Sequence, residues 1–282
     1  MHEISIVKKA VPNISPDVIC KVTVLQNSAE IAILKYQPYD FKCLKLSGNT
    51  YLNQRTGEIL NYELTDNNKK SIGSLRKSFK KLYYLILNNF EGGQSEIFMT
   101  LGYEYIMSDI KQLSKDFNLF RRKLKRRNKD FEYISVAEYK GNESLHLHIL
   151  IKSHSNKRLF FDRNLIIKLW GQRDVYIERI HNSMDIERIA KYLNPFTNPK
   201  KFKRLNYYKR NFRIYNCSNG IIQPKITQLS FREAMTYMNQ NGYIKNNSKS
   251  YNIVANIDNY NDIILNSVTK IYLQKRKGEI SQ

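Results

Sequence analysis

Two of the five histidines in this 282-residue chain stand two apart, in Leu145-His146-Leu147-His148-Ile149-Leu150-Ile151. Residues two apart on a strand share a face. His146 and His148 therefore project together, while Leu145, Leu147, Ile149 and Ile151 point the other way into a core. A pair of imidazoles on one face is the start of a metal site. A strand that ends at Glu138 and returns through Gly141-Asn142-Glu143 lays Glu138 opposite His146, on the face of both histidines. Directly opposed residues have Cβ atoms roughly 4.5–5.5 Å apart, close enough to share one ion. Two His and one carboxylate leave coordination positions open for phosphate oxygens and water. The register is decisive, because a one-residue slip puts Glu138 on the wrong face. The competing reading is a buried strand with two tolerated polar residues and an ordinary strand-end carboxylate.

The third element is Tyr192, late in Arg188-Ile189-Ala190-Lys191-Tyr192-Leu193. A tyrosine hydroxyl can attack phosphorus and form a covalent ester, but its unperturbed pKa of about 10 calls for a metal or cation nearby. Lys191 is adjacent but faces elsewhere on the helix, and Arg188, one turn back, is closer to the same face. With 20 tyrosines in the chain, Tyr192 alone reads as a packing residue. Its place after the histidine strand singles it out.

These residues need a sheet and helices to hold them. Residues 1–66 read as short strands, with candidates at Val18–Leu25 and Ile31–Tyr36 and a hairpin from Thr50 to Tyr62 that turns at Gly57. Thr65 to Lys70 is a polar break. Ser74 caps a helix to about Asn89, with a stripe of Leu75, Phe79, Leu82, Ile86 and Phe90. Glu91-Gly92-Gly93-Gln94 breaks it, and Ile97–Tyr103 reads as a buried strand. Ser108 or Asp109 opens a second helix with a stripe of Ile110, Leu113, Phe117, Phe120 and Leu124. Strands at Glu132–Glu138 and around the histidines follow. Asp162–Trp170 is a helix ended by Gly171, Asp174–Ile180 a strand, and Ser183 caps a helix through Leu193. Ser230–Gln240 is a further helix, and the Asn-rich run Asn246–Asn261 reads as loop with short strands. The fold class is α+β, a central, largely antiparallel sheet backed by helices. The division is a strand-rich region at 1–66, a catalytic domain at 67–215 and an accessory region at 216–282.

The charge points to the partner. There are 47 Lys+Arg against 25 Asp+Glu, a net +22, which suggests a polyanion. The cations cluster. One block holds Arg121, Arg122, Lys123, Lys125, Arg126 and Arg127, part of which suits a helix C-terminus. A second, from Lys200 to Arg213, includes Lys200, Lys201, Lys203 and Arg204 and interleaves aromatics, as suits phosphates plus unpaired, stacked bases. Cys20, Cys43 and Cys217 are few and far apart, so neither a disulfide framework nor a zinc ribbon is indicated, and a reducing cytoplasm fits. No run resembles a signal peptide or a membrane span, and no membrane partner is expected.

Phe98-Met99-Thr100-Leu101-Gly102-Tyr103, then Val136-Ala137-Glu138-Tyr139 through His146-Leu147-His148, then Ala190-Lys191-Tyr192-Leu193 resemble the three ordered motifs of the HUH endonucleases. Within that superfamily the chain is similar to rolling-circle replication initiation proteins of bacterial plasmids and phages, over roughly residues 70–225 by motif matching. Leu169-Trp170-Gly171 and Tyr215-Asn216-Cys217-Ser218 are softer features of the same likeness. The resemblance implies His146 and His148 as metal ligands with Glu138 as the third, Mg²⁺ or Mn²⁺ as the ion, and Tyr192 as nucleophile assisted by Lys191. It implies nicking of single-stranded DNA at a replication origin, through a 5′-phosphotyrosine and a free 3′-OH, in the cytoplasm of a bacterial host. Arg188 stands where two-tyrosine members carry their first tyrosine, so a single-tyrosine enzyme is expected, with Arg188 as a DNA contact. Pro195 stands where many members carry a lysine, so Lys191, Lys200 or Lys201 would substitute. No GxxxxGK[ST] loop occurs, so unwinding and synthesis would fall to a host helicase and polymerase. The alternatives are a transposase or relaxase with the same chemistry, and a non-catalytic origin or single-strand binding protein. Tyr207 and Tyr208 are next in line should Tyr192 not be the nucleophile.

Overall fold

The computed structural model describes residues 3–35, 43–45, 50–53, 59–61, 71–140, 143–210, 212–258 and 261–276. Tyr36, the turn at Gly57, the break at 65–70 and the turn residues Gly141 and Asn142 lie outside them. In chain order the elements are β1 (Glu3–Lys9), β2 (Ile19–Val24), β3 (Ser28–Leu34), β4 (Cys43–Lys45), β5 (Thr50–Asn53) and β6 (Ile59–Asn61). Then come α1 (Ile72–Leu87), β7 (Glu96–Leu101), α2 (Ile110–Arg127), β8 (Glu132–Tyr139), β9 (Leu145–Lys152), α3 (Arg163–Trp170), β10 (Val175–Arg179) and α4 (Ser183–Tyr192). The chain continues with α5 (Pro199–Phe202), a 3₁₀ turn at Lys203–Tyr207, β11 (Tyr215–Cys217), β12 (Lys225–Ser230), α6 (Phe231–Gln240), β13 (Tyr243–Asp258) and β14 (Asn261–Lys275). The class is α+β with antiparallel sheets, as expected.

The chain divides into two compact units, residues 67–223 and residues 1–66 with 224–282. In the first, a five-stranded antiparallel sheet runs in the order β10-β7-β9-β8-β11. The helix stripes expected from the sequence are buried on it: Leu75, Phe79, Leu82 and Ile86 of α1, and Leu113, Phe117, Phe120 and Leu124 of α2. Phe117 meets Tyr133 on one face of the sheet, and Tyr192 of α4 meets His148 on the other. Helix α3 packs beside α2 and α1 beside α4, so the sheet is the middle of three layers. Ser71 and Asn182 cap α1 and α4, in place of the expected Ser74 and Ser183. Each accepts from backbone N–H groups two or three residues on, and helix ends are the least legible part of a periodic pattern.

One close approach fixes where α4 starts. Gly92 has φ +86°, and a Cβ there would lie 2.4 Å from the backbone N and Cα of Asn182, the α4 cap. Gly92→Ala combines a left-handed backbone with a clash against main chain. It should cost more than about 2 kcal/mol of stability and disturb Tyr192 through α4, as checked by urea unfolding.

In the second unit, a six-stranded antiparallel sheet runs β1-β13-β14-β3-β2-β12. The amino- and carboxy-terminal segments thus contribute strands to one sheet, closed by α6 over Val22, Ile31, Ile271, Leu273 and Met238. The Asn246–Asn261 run is not loop: most of it lies in β13, a 16-residue strand paired along its length with β14. Asparagine is a poor strand former, and cross-strand partners override that preference, including the buried Ser250–Thr269 hydroxyl pair at 2.9 Å. Strands β4, β5 and β6 form a small sheet of their own, with Tyr51 opposite Leu60 in the expected hairpin. Residues 67–223 hold 32 Lys+Arg and 14 Asp+Glu against 15 and 11 in the rest, so +18 of the +22 belongs to the unit with the histidines.

Candidate metal centre and active site

The β8–β9 hairpin has the register on which the site depends. Glu138 pairs with His146 and Val136 with His148, while Thr100 of β7 pairs with His148 from the other side. Glu138, His146 and His148 are buried at 4%, 4% and 2% exposure, and among the described residues they form a group whose ligand atoms all lie within 4.8 Å of one another. His146 Nε2 is 2.8 Å from His148 Nε2, which is 2.9 Å from Glu138 Oε2. The third side of that triangle is 3.6 Å.

His148 is oriented from behind. Its ring stacks on Phe98 at 5.4 Å and 13°, and its Nδ1 lies 3.0 Å from Thr100 Oγ1. With the proton on Nε2, His148 donates to Glu138. With the proton on Nδ1 it donates to Thr100, and Nε2 turns a lone pair towards the point shared with His146 Nε2 and Glu138 Oε2. Three acceptors aimed at one point repel unless a cation lies between them, so the second tautomer is the metal-ready state. Two imidazole nitrogens and a carboxylate oxygen fit a first-row divalent ion or Mg²⁺. Thr100→Val keeps the shape and removes the acceptor, and is expected to lower divalent-ion affinity by about 10–100-fold, read by calorimetric titration.

The charges around the site support this. Burial pushes His146 down to about 3, with a further push from His148, and burial likewise lowers His148. Burial would raise Glu138, but its hydrogen bond with His148 and the Lys201 charge outweigh it and hold the carboxyl at about 2. At neutral pH the set is therefore one carboxylate and two neutral imidazoles. A buried neutral histidine contributes stability that is present above its unfolded pKa of about 6.5 and is lost as pH falls towards its folded value. Glu138 adds a loss in the same direction below about 4.5. The ion-free protein should lose up to about 1.4 kcal/mol per pH unit for each histidine below pH 6.5. Thermal unfolding from pH 7 to 5 measures this, and an unchanged midpoint in the wild type would contradict neutral burial.

Lys201, grouped with the DNA-binding cations in the sequence, stands inside the site. It is 3% exposed, and its Nζ lies 2.7 and 2.9 Å from the two oxygens of Glu138. The same Nζ lies 3.3 Å from the centroid of the Tyr192 ring. Short α5 and the following 3₁₀ turn bring it there, along with Arg204, whose Nη1 is 3.3 Å from Glu138 Oε1. Tyr192 is 43% exposed, and its ring meets His148 edge-on at 5.6 Å. Burial, with the Glu138 charge, raises its hydroxyl pKa, which Arg204 opposes, so ionisation needs help from a cation. Lys191 points away and pairs with Glu187 at 2.7 Å. Arg188 pairs with Glu178 and Asp185 at 3.1 and 3.3 Å. Tyr208 is a core residue at 1% exposure, edge-on to Phe79 and Tyr139.

The other cations fall in two places. Arg122, Lys125, Arg126 and Arg127 are exposed near the end of α2, while Lys123 reaches the Leu169 carbonyl and Arg121 turns inward. Lys200 and Lys203 are exposed around α5, beside the site. Phe98 and Thr100 carry no assigned role in the sequence. Their signal is the position of β7 beside the histidine strand, which becomes readable only when the strand order is known.

Residues 96–197 match a family model described as a replication-associated protein of the ORF2 kind. That span holds Glu138, His146, His148 and Tyr192. Among solved structures, ORF119, a hypothetical protein from Sulfolobus islandicus rod-shaped virus 1, is 22% identical over 42% of this chain and 91% of its own, with a TM-score of 0.30. The amino-terminal nuclease domain of the minute virus of mice non-structural protein 1 is 8% identical over 78% of this chain and 75% of its own, with a TM-score of 0.17. Both scores are below those at which a shared fold can be argued. No curated protein matches the sequence significantly. Among the described residues no helix is long and apolar enough to cross a membrane.

Proposed function

We propose that this protein initiates rolling-circle replication by nicking single-stranded DNA at an origin, in the manner of the HUH endonucleases. The observation that carries the reading is the convergence of Glu138, His146 and His148 on one point beside Tyr192. The replication-associated family match over 96–197 supports the replication setting.

Glu138 Oε2, His146 Nε2 and His148 Nε2 would hold Mg²⁺ or Mn²⁺, and the imidazole pair favours Mn²⁺. The bound ion would supply Lewis-acid polarisation of the scissile phosphate. The chain does the rest. Tyr192 Oη attacks the phosphorus, the bond from phosphorus to the 3′ oxygen breaks, and that oxygen leaves as a 3′-OH after taking a proton. The DNA 5′ phosphate stays on Tyr192 as an ester, which preserves the bond for rejoining. Lys201, against the Tyr192 ring, stabilises negative charge growing on the phenol. It takes the place that Lys191 and Lys200 shared as candidates in the sequence. Exposed Lys200, Lys203 and the α2 cations hold the strand by its phosphates. Arg188, with its two carboxylate partners, is a weaker contact.

The test incubates the full chain with labelled single-stranded origin DNA in Mn²⁺, Mg²⁺ or EDTA on a denaturing gel. Nicking with a covalent protein–DNA band in metal and none in EDTA is the expected result. Tight DNA binding without cleavage in any metal would replace the reading with a non-catalytic binder.

A further inference from the structure

On the opposite face of the same sheet, between α2 and the edge formed by β8 and β11, lies a cavity of about 510 Å³. Its floor includes Ser135, Ala137 and Leu147, which alternate along β8 and β9 with the residues bearing the metal-site side chains. The nicking chemistry does not use it.

Its lining has a definite chemistry. Arg121 and Arg213 both reach it, and no Asp or Glu does. Arg121 is half-buried, and its Nε is buried with no acceptor from the protein. Leaving such a donor unpaired is costly, and an anionic oxygen satisfies it best. Arg213 is exposed at the rim. Phe117 and Tyr133, edge-on at 5.5 Å, give the cavity an aromatic wall. Asn118 contributes an amide that can both donate and accept. A cationic rim, an aromatic wall and an amide ask for one ligand with a phosphate, a flat ring and a hydrogen-bonding edge. The volume is in the range of small-molecule sites.

We propose that this cavity binds a single nucleotide, its phosphate on Arg121 and Arg213 and its base against Phe117 and Tyr133. The nucleotide is either free or part of a DNA strand, and the same chemistry recognises both. The site is separate from the nicking centre, and its test does not require Tyr192 to be the nucleophile.

Cys217 is a built-in reporter, because it is a free, half-buried thiol lining the cavity, whereas Cys20 is fully buried elsewhere. The full chain is alkylated with N-ethylmaleimide, and Cys217 modification is followed by peptide mass spectrometry. The probes are each deoxynucleoside monophosphate, the matching nucleosides, inorganic phosphate and a short oligonucleotide. A ligand at ten times its Kd should slow Cys217 labelling by about tenfold. Protection by a monophosphate and not by its nucleoside is the expected result. Protection by the oligonucleotide alone supports the site with DNA as its source. Tyr192→Phe should keep the protection, and Arg121→Gln should lose it. Arg213→Gln, at the exposed rim, should weaken it and covers the case in which Arg121→Gln unfolds, which Cys20 labelling would report. No protection by any nucleotide or oligonucleotide overturns the proposal. So does protection by inorganic phosphate as strong as by nucleotide, or protection unchanged in folded Arg121→Gln.

Discussion

Tyr192→Phe is expected to lower formation of the covalent protein–DNA adduct by at least ~10³-fold, because it removes the nucleophile itself. The same change should leave almost everything else in place. Phenylalanine keeps the edge-on contact with His148 and the ring under Lys201 Nζ. At a half-exposed position the loss of a hydroxyl should shift stability by less than about 0.5 kcal/mol. Single-strand affinity should fall by no more than about fivefold, the worth of one ordinary hydrogen bond. The pattern to look for is thus normal folding, normal divalent-ion binding and near-normal DNA binding, with no adduct on a denaturing gel. Persistence of the adduct would move the nucleophile elsewhere. Tyr208 is an unfavourable second choice, since it is fully buried with its hydroxyl pKa pushed well above the usual range by that burial.

The second large effect is at the metal ligands. His148→Ala removes one of three converging donors, and its loss should exceed the 10–100-fold typical of a supporting residue, so Mn²⁺ affinity should fall by more than about 10². Nicking should fall with it. The alanine also leaves space against Phe98, on which the imidazole is stacked, and that space adds a structural component to the activity loss. His148→Gln fills more of that space and separates the two effects: it should recover most of the stability and little of the Mn²⁺ binding. Calorimetric titration of both variants is the check. Wild-type Mn²⁺ affinity in folded His148→Ala would remove His148 from the metal site.

The sequence is most informative where a period of two meets unusual residue types. His146 and His148 announce a shared face because nothing else in that strand is polar, and the short connection from Glu138 allows few registers. The stripes of α1 and α2 are equally plain. Lys201 is not. In the sequence it belongs to a basic run that reads as solvent-exposed, and only the short α5 and the 3₁₀ turn after it bury this one cation against Glu138. Lys191 misleads in the opposite way, since adjacency to Tyr192 along a helix places a side chain about 100° round the axis, here onto Glu187. The long β13–β14 hairpin is hidden because its stability comes from cross-strand pairing, which local propensity does not report. For the same reason, strands from the two ends of the chain cannot be seen to share a sheet.

The central claim is that Tyr192 becomes joined to DNA in a reaction that needs a divalent ion. The most direct measurement is to form the adduct with single-stranded origin DNA in Mn²⁺, trim the DNA with nuclease, digest the protein and locate the residual nucleotide mass by tandem mass spectrometry. The account predicts that mass on the peptide containing Tyr192, through its phenolic oxygen, and its absence when EDTA replaces Mn²⁺. A nucleotide on Tyr207 or any other residue, or an adduct formed equally well in EDTA, would contradict it.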